Sequence, residues 1–379
     1  MNSKNWIGTW VVVLLIIPLV GALNYLVDPY GLYHAEYFGF DKIKQSDKIR
    51  LTKAMRIKEI KPKSICLGDS RTEGGYDPTH QYFYKPSYNL AVPGSSIYED
   101  RLNFENALKQ GNLEKVLLVV NYRTMTSRPQ IYVPDFEAYF EKSKYTYLFS
   151  LDTLKDSLLT IKGTDKFFRI YLTNGQLKHT YMQKYISEKG GHLSTMQSSE
   201  SRYYKNNSTS YAYVDTKKKT FPDFEKIVAL CYENNIELDI VFGPSHIRQW
   251  EGLDHYLGIE KWLKWKKDIV ISVNKVASKY AQKPFRVMDF SVYHKLTAEE
   301  VPVDKNARME YHWEGSHYKN KLGLIVLDRL EGCSQFDDFG VELNLTNINE
   351  HLNRQRINRN KFIDVEQYKK NFSTYLNSK

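Results

Sequence analysis

Cysteine is scarce in this chain, with only three among 379 residues. Cys66, Cys231 and Cys333 form no CxxC motif and no zinc-ligand spacing, so we predict neither a disulfide scaffold nor a metal site. Zinc fingers, RNP-like motifs and dense arginine runs, which are common marks of nucleic-acid binding, are absent as well. We therefore expect no metal, no cofactor and no nucleic-acid partner.

Long apolar runs are equally scarce, and the single one is WIGTWVVVLLIIPLVGALNYLV at 6–27, which contains no charged residue. About 20 apolar residues suffice for a helix to span a bilayer. Lys4 precedes the run and Asp28 follows it, so the positive-inside rule predicts an N-terminus on the inside. We predict a single-pass anchor at 1–28 in the cytoplasmic (inner) membrane, with the rest of the chain extracytoplasmic or periplasmic. The alternative is a cleaved signal peptide, because V-G-A at 20–22 is compatible with a cleavage site.

Tyrosine, in contrast, is abundant, with 29 residues beside 18 Phe and 6 Trp. Tyrosine suits stacking on sugars, and it is also common in aromatic cores. The formal net charge is +10, from 54 Lys and Arg against 44 Asp and Glu. This sign is compatible with an anionic polysaccharide or lipid as a partner, and equally with a solvated basic surface.

Beyond a juxtamembrane connector at 29–60, short apolar runs alternate with amphipathic helical patterns. This alternation predicts an α/β domain with a parallel sheet over 61–333. The predicted strands are 64–68, 88–92, 115–121, 237–243 and 285–290, and the clearest predicted helices are 224–235, 259–281 and 319–330.

Two stretches depart from this alternation. Residues 122–222 are polar and rich in tyrosine, and we predict an insertion over the carboxyl edge of the sheet, where α/β proteins bind ligands. So long a segment is expected to contain helices of its own. Residues 334–379 form a polar, asparagine-rich tail with no evident chemistry, which we expect to wrap around the domain.

The segment ICLGDSRTEGG at 65–75 places Ser70 directly after a strand-like run. Ser70 is either a helix cap or a nucleophile displayed at the end of a strand. The next two predicted strands end near Gly94, in NLAVPGSS, and at Asn121. A glycine lets a backbone amide approach a ligand closely, and asparagine is a side-chain donor. Three neighbouring strand ends thus offer a nucleophile together with donors for an oxyanion.

A serine nucleophile requires a base, and the segment EYHWEGSHYKNKLG at 310–323 offers one. Glu314 and His317 are three residues apart at the start of a predicted helix, so they share a face. A carboxylate on one imidazole nitrogen leaves the other free to take the proton of Ser70. In the alternative interpretation, Glu314 and Ser316 cap the helix and His317 lies on the surface.

Four other polar residues are additional candidates. Asp289, at the end of FRVMDF, is a rival to Glu314 as the acid. His246 lies just past a predicted strand and is either a second polar group of the site or a histidine packed under the insertion. Asp69 and Arg71 flank Ser70 and are included for that reason.

Together these residues resemble the SGNH (GDSL-like) hydrolase superfamily, whose four sequence blocks carry Ser, Gly, Asn and His in that order. Ser70 in GDS, Gly94, Asn121 in VVNYR and His317 match the blocks over about residues 62–330. The resemblance implies a three-layer α/β/α sandwich with a central parallel sheet, here preceded by the transmembrane helix. It also implies ester chemistry in which Ser70 attacks and His317 acts as the base. The amides of Ser70 and Gly94 and the Asn121 side chain would form the oxyanion hole.

Two blocks depart from the family pattern. Asn121 lies in Val-Val-Asn-Tyr where the family usually has Gly-x-Asn-Asp, and Glu314 replaces the usual aspartate. Both changes affect groups that would position or stabilise the reacting atoms.

With its predicted anchor, the chain resembles the accessory proteins of cell-surface polymer acylation. These include the alginate and cellulose O-acetylation proteins and the D-alanyl transfer protein of teichoic acid synthesis. The last matches better in the order of its serine and histidine. The resemblance implies an O-acyltransferase or esterase acting on a cell-surface polysaccharide, with a membrane-bound O-acyltransferase as partner. The alternatives are a simple esterase that uses water, and an inactive protein that binds glycan or assembles with that acyltransferase.

Overall fold

The computed structural model describes residues 3–35, 37–163, 169–205 and 207–378, without the side chains of 3–5, 7–9 and 11–13. The described residues form a mixed α/β fold. The strands are β1 (Ser64–Leu67), β2 (Ser87–Asn89), β3 (Lys115–Val120), β4 (Ile170–Tyr171), β5 (Leu177–Lys178), β6 (Glu237–Phe242), β7 (Arg286–Asp289) and β8 (Val341–Leu343).

The α-helices alternate with these strands in the second half of the chain. They are α1 (Ser3–Val27), α2 (Ile49–Ile60), α3 (Ser70–Gly75), α4 (Ile97–Leu108), α5 (Tyr122–Thr126), α6 (Leu151–Lys162), α7 (Met182–Glu188), α8 (His192–Tyr204), α9 (Phe221–Glu233), α10 (Ile247–Leu257), α11 (Ile259–Lys279), α12 (Asn320–Glu331), α13 (Ile348–Phe362) and α14 (Val365–Asn377). Three short 3-10 helices lie at Gln45–Lys48, Glu137–Phe140 and Lys144–Tyr147.

The central sheet has the strand order β2-β1-β3-β6-β7-β8. The first five strands are parallel, and β8 pairs antiparallel with β7. A parallel-dominated sheet is compatible with the prediction, and the predicted strands are present with shorter bounds, β2 also beginning one residue earlier than predicted. The antiparallel edge strand was not predicted, because it comes from the segment that we expected to be only a polar tail. That segment also forms α13 and α14.

Helices cover both faces of this sheet because successive side chains of a strand point to opposite faces. Ile65 and Leu67 of β1 join an apolar core that includes Phe224 of α9. Cys66, between them, joins a second core that includes Leu322 of α12. Strands β1, β3, β6 and β7 thus contribute to both cores, and their carboxyl ends are left as the place where polar side chains gather.

The prediction of a membrane-spanning anchor at 1–28 is wrong. Among the residues that the structure describes, no helix combines the length and the hydropathy needed to cross a bilayer. The predicted single-pass membrane localisation, with its N-terminus inside, and the membrane contact through this helix are therefore withdrawn.

Polar packing inside the protein explains the C-terminal part of α1. Asn24 is fully buried, and its amide donates to the Leu148 carbonyl at 2.8 Å. Ser157 of α6 in turn donates to the Asn24 side-chain oxygen at 2.9 Å. Residues 29–60, predicted to be a connector, are also packed, because Tyr30 and Leu51 join a third apolar cluster.

The tyrosine-rich stretch 122–222 contains helices, as predicted. It forms α5 to α8, and β4 and β5 pair as a separate antiparallel two-stranded sheet. Several of its side chains lie at the carboxyl edge of the central sheet, beside Ser70.

Candidate active site

Ser70 lies at the junction between a buried strand and a helix. Strand β1 ends at Leu67, and α3 begins at Ser70 with Asp69 as its cap, whose Oδ1 accepts from the Arg71 N–H at 3.1 Å. Gly68 has a φ of +144°, and a Cβ there would lie 2.8 Å from the Val119 carbonyl oxygen. Only glycine fits this tight turn. Ser70 is therefore the first residue of the helix, and the cap is its neighbour.

The Ser70 hydroxyl faces the predicted base. Ser70 Oγ lies 2.8 Å from His317 Nε2, although 247 residues separate them in the chain. On the other side of the ring, His317 Nδ1 contacts Glu314 Oε1. The structure thus brings together the three residues predicted as nucleophile, base and acid, in the order in which a proton relay requires them.

Glu314 is held as a carboxylate. Its oxygens accept from the Ser316 N–H at 3.1 Å, the Ser316 hydroxyl at 2.6 Å and the His317 N–H at 2.9 Å. Burial would raise the pKa of Glu314, but the charge of His317 and these hydrogen bonds outweigh it and hold the pKa below its ordinary value. A carboxylate only accepts, so Nδ1 carries the proton and Nε2 is left to accept from Ser70.

The predicted helical setting of this pair is wrong. His312 and Tyr318 form an antiparallel bridge, the Trp313 N–H donates to the His317 carbonyl at 2.9 Å, and α12 begins only at Asn320. Glu314 and His317 therefore lie on a tight turn. A turn closed by backbone hydrogen bonds brings residues three apart together as a helical turn does, so the spacing alone does not distinguish the two.

The predicted oxyanion donors are only partly brought together. Gly94, with a φ of +68°, lines a cavity beside Ser70. Asn121 does not line it; this residue caps α5, and its side-chain amide donates to Asp69 Oδ2 at 2.9 Å. The side chain of Arg128, rather than that of Asn121, lies beside Gly94 in this cavity. Its Nη1 lies 3.5 Å from where a Cβ on Gly94 would be, and its Nη2 lies 3.8 Å from Asp69 Oδ2.

Asp289 and His246 lie away from the serine. Asp289 is fully buried and accepts from Lys266 Nζ at 2.6 Å and pairs with His351 Nε2 at 2.8 Å, so it is not beside His317. His246 is also buried and caps α10, with its Nε2 2.7 Å from the Glu299 carbonyl. It therefore occupies the packed position that was the alternative to a site role.

The two neighbours of Ser70 both belong to its surroundings. Burial would raise the pKa of Asp69, but the charges of Arg71 and Arg128 outweigh it and lower the pKa. Arg71 lines the cavity, and its guanidinium lies 2.7 Å from the Gln249 side-chain oxygen once that amide is oriented to accept. Within the described part of the chain, no cluster of His, Cys, Asp and Glu is arranged to hold a metal ion.

Two cavities meet at Ser70 and His317. One, here called the arginine cavity, has a volume of about 470 Å³. Its charged lining residues are Asp47, Lys48, Arg50, Asp69, Arg71, Arg123, Arg128 and Arg169. The other, here called the tyrosine cavity, has a volume of about 500 Å³. Its lining includes Tyr181, Tyr185, Tyr203, Ser194, Thr195, Ser198 and Ser199.

Sequence reasoning missed most of these lining residues. Arg123, Arg128 and Arg169 belong to the predicted insertion, whose place over the sheet edge was expected but whose contacts were not. His179, which follows β5, lines the tyrosine cavity. Burial, and then the charges of His317 and Arg169, lower the pKa of His179 to about 3, so this ring is neutral near pH 7. No local sequence signal distinguishes these residues from other polar residues of the insertion.

Comparisons with known proteins add little to this geometry. No family model and no curated protein matches the chain. Among solved structures, a chain from Streptococcus pneumonia provisionally described as a platelet activating factor aligns with 10% identity and a TM-score of 0.34. The alignment covers 76% of this chain and 94% of that chain. A likeness at that TM-score carries no argument about activity.

Proposed function

We propose that this protein is a serine esterase or O-acyltransferase of the SGNH type, acting through an acyl-enzyme on Ser70. The observation that carries the proposal is the relay in which Ser70 Oγ lies 2.8 Å from His317 Nε2 and Glu314 holds the opposite nitrogen. This is the arrangement by which an imidazole activates a hydroxyl for attack on a carbonyl.

The proposed reaction has two halves, the formation of an acyl-enzyme on Ser70 and its breakdown. His317 Nε2 takes the proton of Ser70 as Oγ attacks the ester carbonyl, and the tetrahedral intermediate then expels the alcohol, which receives that proton. In the second half, His317 takes a proton from water or from an acceptor hydroxyl as that oxygen attacks the acyl-enzyme carbonyl. The second tetrahedral intermediate then breaks its bond to Ser70 Oγ, which receives the proton from His317. Glu314 stabilises the imidazolium that exists between these transfers.

The oxyanion of the intermediate requires donors that are already in place. The backbone N–H groups of Ser70 and Gly94 and the guanidinium of Arg128 are the proposed donors. Arg128 thereby takes the role that the family resemblance assigns to Asn121, whose amide is already bonded to Asp69.

Between hydrolysis and transfer of the acyl group to a polysaccharide hydroxyl, the two cavities favour transfer. Two cavities that share Ser70 and His317 give separate room to an acyl donor and an acceptor. The tyrosine cavity offers aromatic faces and hydroxyl groups, which suit a sugar. A membrane-bound O-acyltransferase as supplier of the acyl group remains a prediction from the resemblance.

The test of an activated serine is labelling of the full chain with a fluorophosphonate ester, followed by intact mass. We expect one addition, which is lost in Ser70→Ala, strongly slowed in His317→Ala and unchanged in Ser278→Ala. Ser278 is a matched control because it lies exposed on α11 and donates to the Asn274 carbonyl at 2.9 Å. An addition that persists in Ser70→Ala would contradict the proposal.

The acceptor is tested separately, with 4-nitrophenyl acetate as the acyl donor. An acetylated oligosaccharide, detected by mass when neutral or anionic oligosaccharides are added, would establish transfer. Release of acetate alone, at a rate that no oligosaccharide changes, would establish an esterase.

A glycan-binding protein without catalysis is the second candidate. The observation that favours it is the position of Asn121, which the resemblance places in the oxyanion hole but which caps α5. Oligosaccharide binding by calorimetry, with no labelling of Ser70, would identify this function.

A further inference from the structure

We propose that the arginine cavity binds an oxyanion group of the substrate, a carboxylate or a phosphate, beside Ser70. This rests on the proposed function, because it names the substrate class of the same site. The tyrosine cavity, which is lined by Lys189 and Arg202 as well as the shared Arg169, then takes the other partner of the reaction.

The lining of the arginine cavity is strongly cationic, with six Lys or Arg side chains against two carboxylates. Not all of this charge is free. Arg50 donates to the Glu99 carboxylate at 2.8 Å and 3.0 Å and to the Pro93 carbonyl at 2.8 Å, so it is neutralised inside the protein. The charge that remains includes Arg71, Arg123 and Arg128, which line the cavity together with Ser70.

Two arginines of the cavity, Arg123 and Arg128, each have a hydrogen-bond donor without a partner in the described part of the chain. The Nε of each is buried and has no hydrogen-bond partner among the residues that the structure describes. Within the described ranges, Arg123 forms no ion pair with a carboxylate, and its Cζ lies 5.1 Å from the centroid of the Tyr203 ring. Burial, and then the charge of Arg128, lower the pKa of Arg123 to about 10. A half-buried cation without a counter-ion is unfavourable, and an anion in the cavity relieves it.

The single carboxylate of Asp69 does not neutralise Arg71, Arg123 and Arg128 together. One of its oxygens accepts from the Asn121 amide at 2.9 Å and the other from the Arg71 N–H at 3.1 Å. Its distance to Arg128 Nη2 is 3.8 Å, longer than a hydrogen bond. Guanidinium groups bind carboxylate and phosphate through paired N–H donors, so the unfilled donors suit an oxyanion rather than a hydroxyl.

Binding is measured first without any chemistry. The Ser70→Ala protein is titrated with inorganic phosphate at low ionic strength, by calorimetry. We expect saturable binding that weakens at least about 10-fold in Arg123→Gln and in Arg128→Gln, since each removes a charge-assisted donor. Arg354→Gln is the matched control, because Arg354 is exposed on α13 and pairs with Glu350.

A conservative variant keeps this test decisive if a glutamine variant fails to fold. Arg123→Lys retains the charge and loses the paired donors, so we expect phosphate affinity between those of the parent and Arg123→Gln. Phosphate binding that is absent in Ser70→Ala, or equal in all folded variants, would overturn the inference.

Turnover then shows which part of the substrate carries the anion. If the acyl group carries it, kcat/KM for mono-4-nitrophenyl succinate should exceed that for 4-nitrophenyl acetate at least about 10-fold, and Arg123→Gln should remove the preference through KM. If the acceptor carries it, glucose 6-phosphate should accept acetate better than glucose does, with the same loss. Equal preference for charged and uncharged partners on both sides would overturn the inference.

A further outcome would overturn the inference for Arg123 and place it, beside Arg128, at the oxyanion of the intermediate. Arg123→Gln would then lower kcat alike for the charged and the neutral ester and leave KM unchanged. The two proposals fail separately. Phosphate binding without Ser70 labelling would refute the enzyme and keep the anion site, and labelling without phosphate binding would do the reverse.

Discussion

Two buried carboxylates among the described residues, Asp289 and Glu314, each hold a histidine, and of these two histidines only His317 also faces a serine hydroxyl. Asp289 pairs with His351 Nε2 at 2.8 Å, and Glu314 pairs with His317 Nδ1. Both carboxylates have a pKa lowered by their partners, for Asp289 to about 2, although burial opposes the shift. As isolated acid–histidine pairs they are alike.

The difference lies in the third group. At Asp289 a second cation is present, Lys266, whose Nζ lies 2.6 Å away and is fully buried. At Glu314, within the described ranges, the only ion-pair partner is His317, and the other nitrogen of that ring faces Ser70. A lysine fixes the charge of a pair, whereas an imidazole with an open nitrogen can gain and release a proton. The comparison shows why one pair stabilises the core and the other is suited to catalysis.

The largest expected effect is on the rate at Glu314. Glu314→Gln keeps the volume and removes the charge that orients and stabilises the imidazolium, so the rate of Ser70 labelling should fall about 1,000- to 10,000-fold. Fluorophosphonate labelling kinetics measure it, with Glu350→Gln on the exposed face of α13 as the control. A decrease under about 10-fold would show that Glu314 is not the acid of the relay.

The second effect is on stability at Asp289. Asp289→Asn leaves Lys266 buried without its counter-charge, so the free energy of unfolding should fall by about 3–5 kcal/mol. Denaturant unfolding of the full chain measures it. The folded fraction should label at Ser70 at the parent rate; a specific loss of labelling in folded protein would place Asp289 in the relay after all.

A third histidine, His179, extends the comparison because no carboxylate of the described residues pairs with it. His179 has a pKa of about 3, against an ordinary value near 6.5, and no carboxylate of the described residues lies within 4.0 Å of it. Between these values the unfolded chain binds more protons, so stability is lost as the pH falls from 6.5 towards 3.

This contribution is measurable as a difference between proteins. Between pH 7 and pH 5 the parent should lose about 2 kcal/mol more unfolding free energy than His179→Gln does. Urea unfolding at both pH values measures it, with the exposed His34→Gln as control. Parallel losses in the parent and His179→Gln would mean that His179 titrates normally in the folded protein.

The smallest effect concerns Asn121. As an oxyanion donor it would be worth about 100- to 1,000-fold in rate. Because its amide donates to Asp69 and its side chain caps α5, Asn121→Ala should slow labelling less than about 10-fold and cost about 1 kcal/mol of stability. Labelling kinetics and urea unfolding of this variant measure the two. A loss of 100-fold or more would return Asn121 to the oxyanion hole and remove Arg128 from it.

Much of the sheet was predictable because its signals are local. Short apolar runs at 64–68, 115–121 and 237–243 are buried strands, and each burial pattern reflects a strand covered on both faces. The edge strand β8 was missed because its three residues carry no such run. The predicted anchor at 1–28 failed because no described helix has the length and hydropathy to cross a bilayer, and the sequence did not show that Asn24 binds a loop far along the chain.

The candidate site likewise combines features that are local in the sequence with features that depend on distant contacts. By itself the sequence determined the strand that ends just before Ser70 and the spacing that lets Glu314 reach His317, because both depend on residues adjacent or three apart in the chain. Only the tertiary structure decided between Glu314 and Asp289, turned Asn121 towards Asp69, and brought Arg123 and Arg128 beside Ser70. These outcomes depend on contacts between residues distant in sequence, and such contacts exist only once the strands and the insertion have packed together.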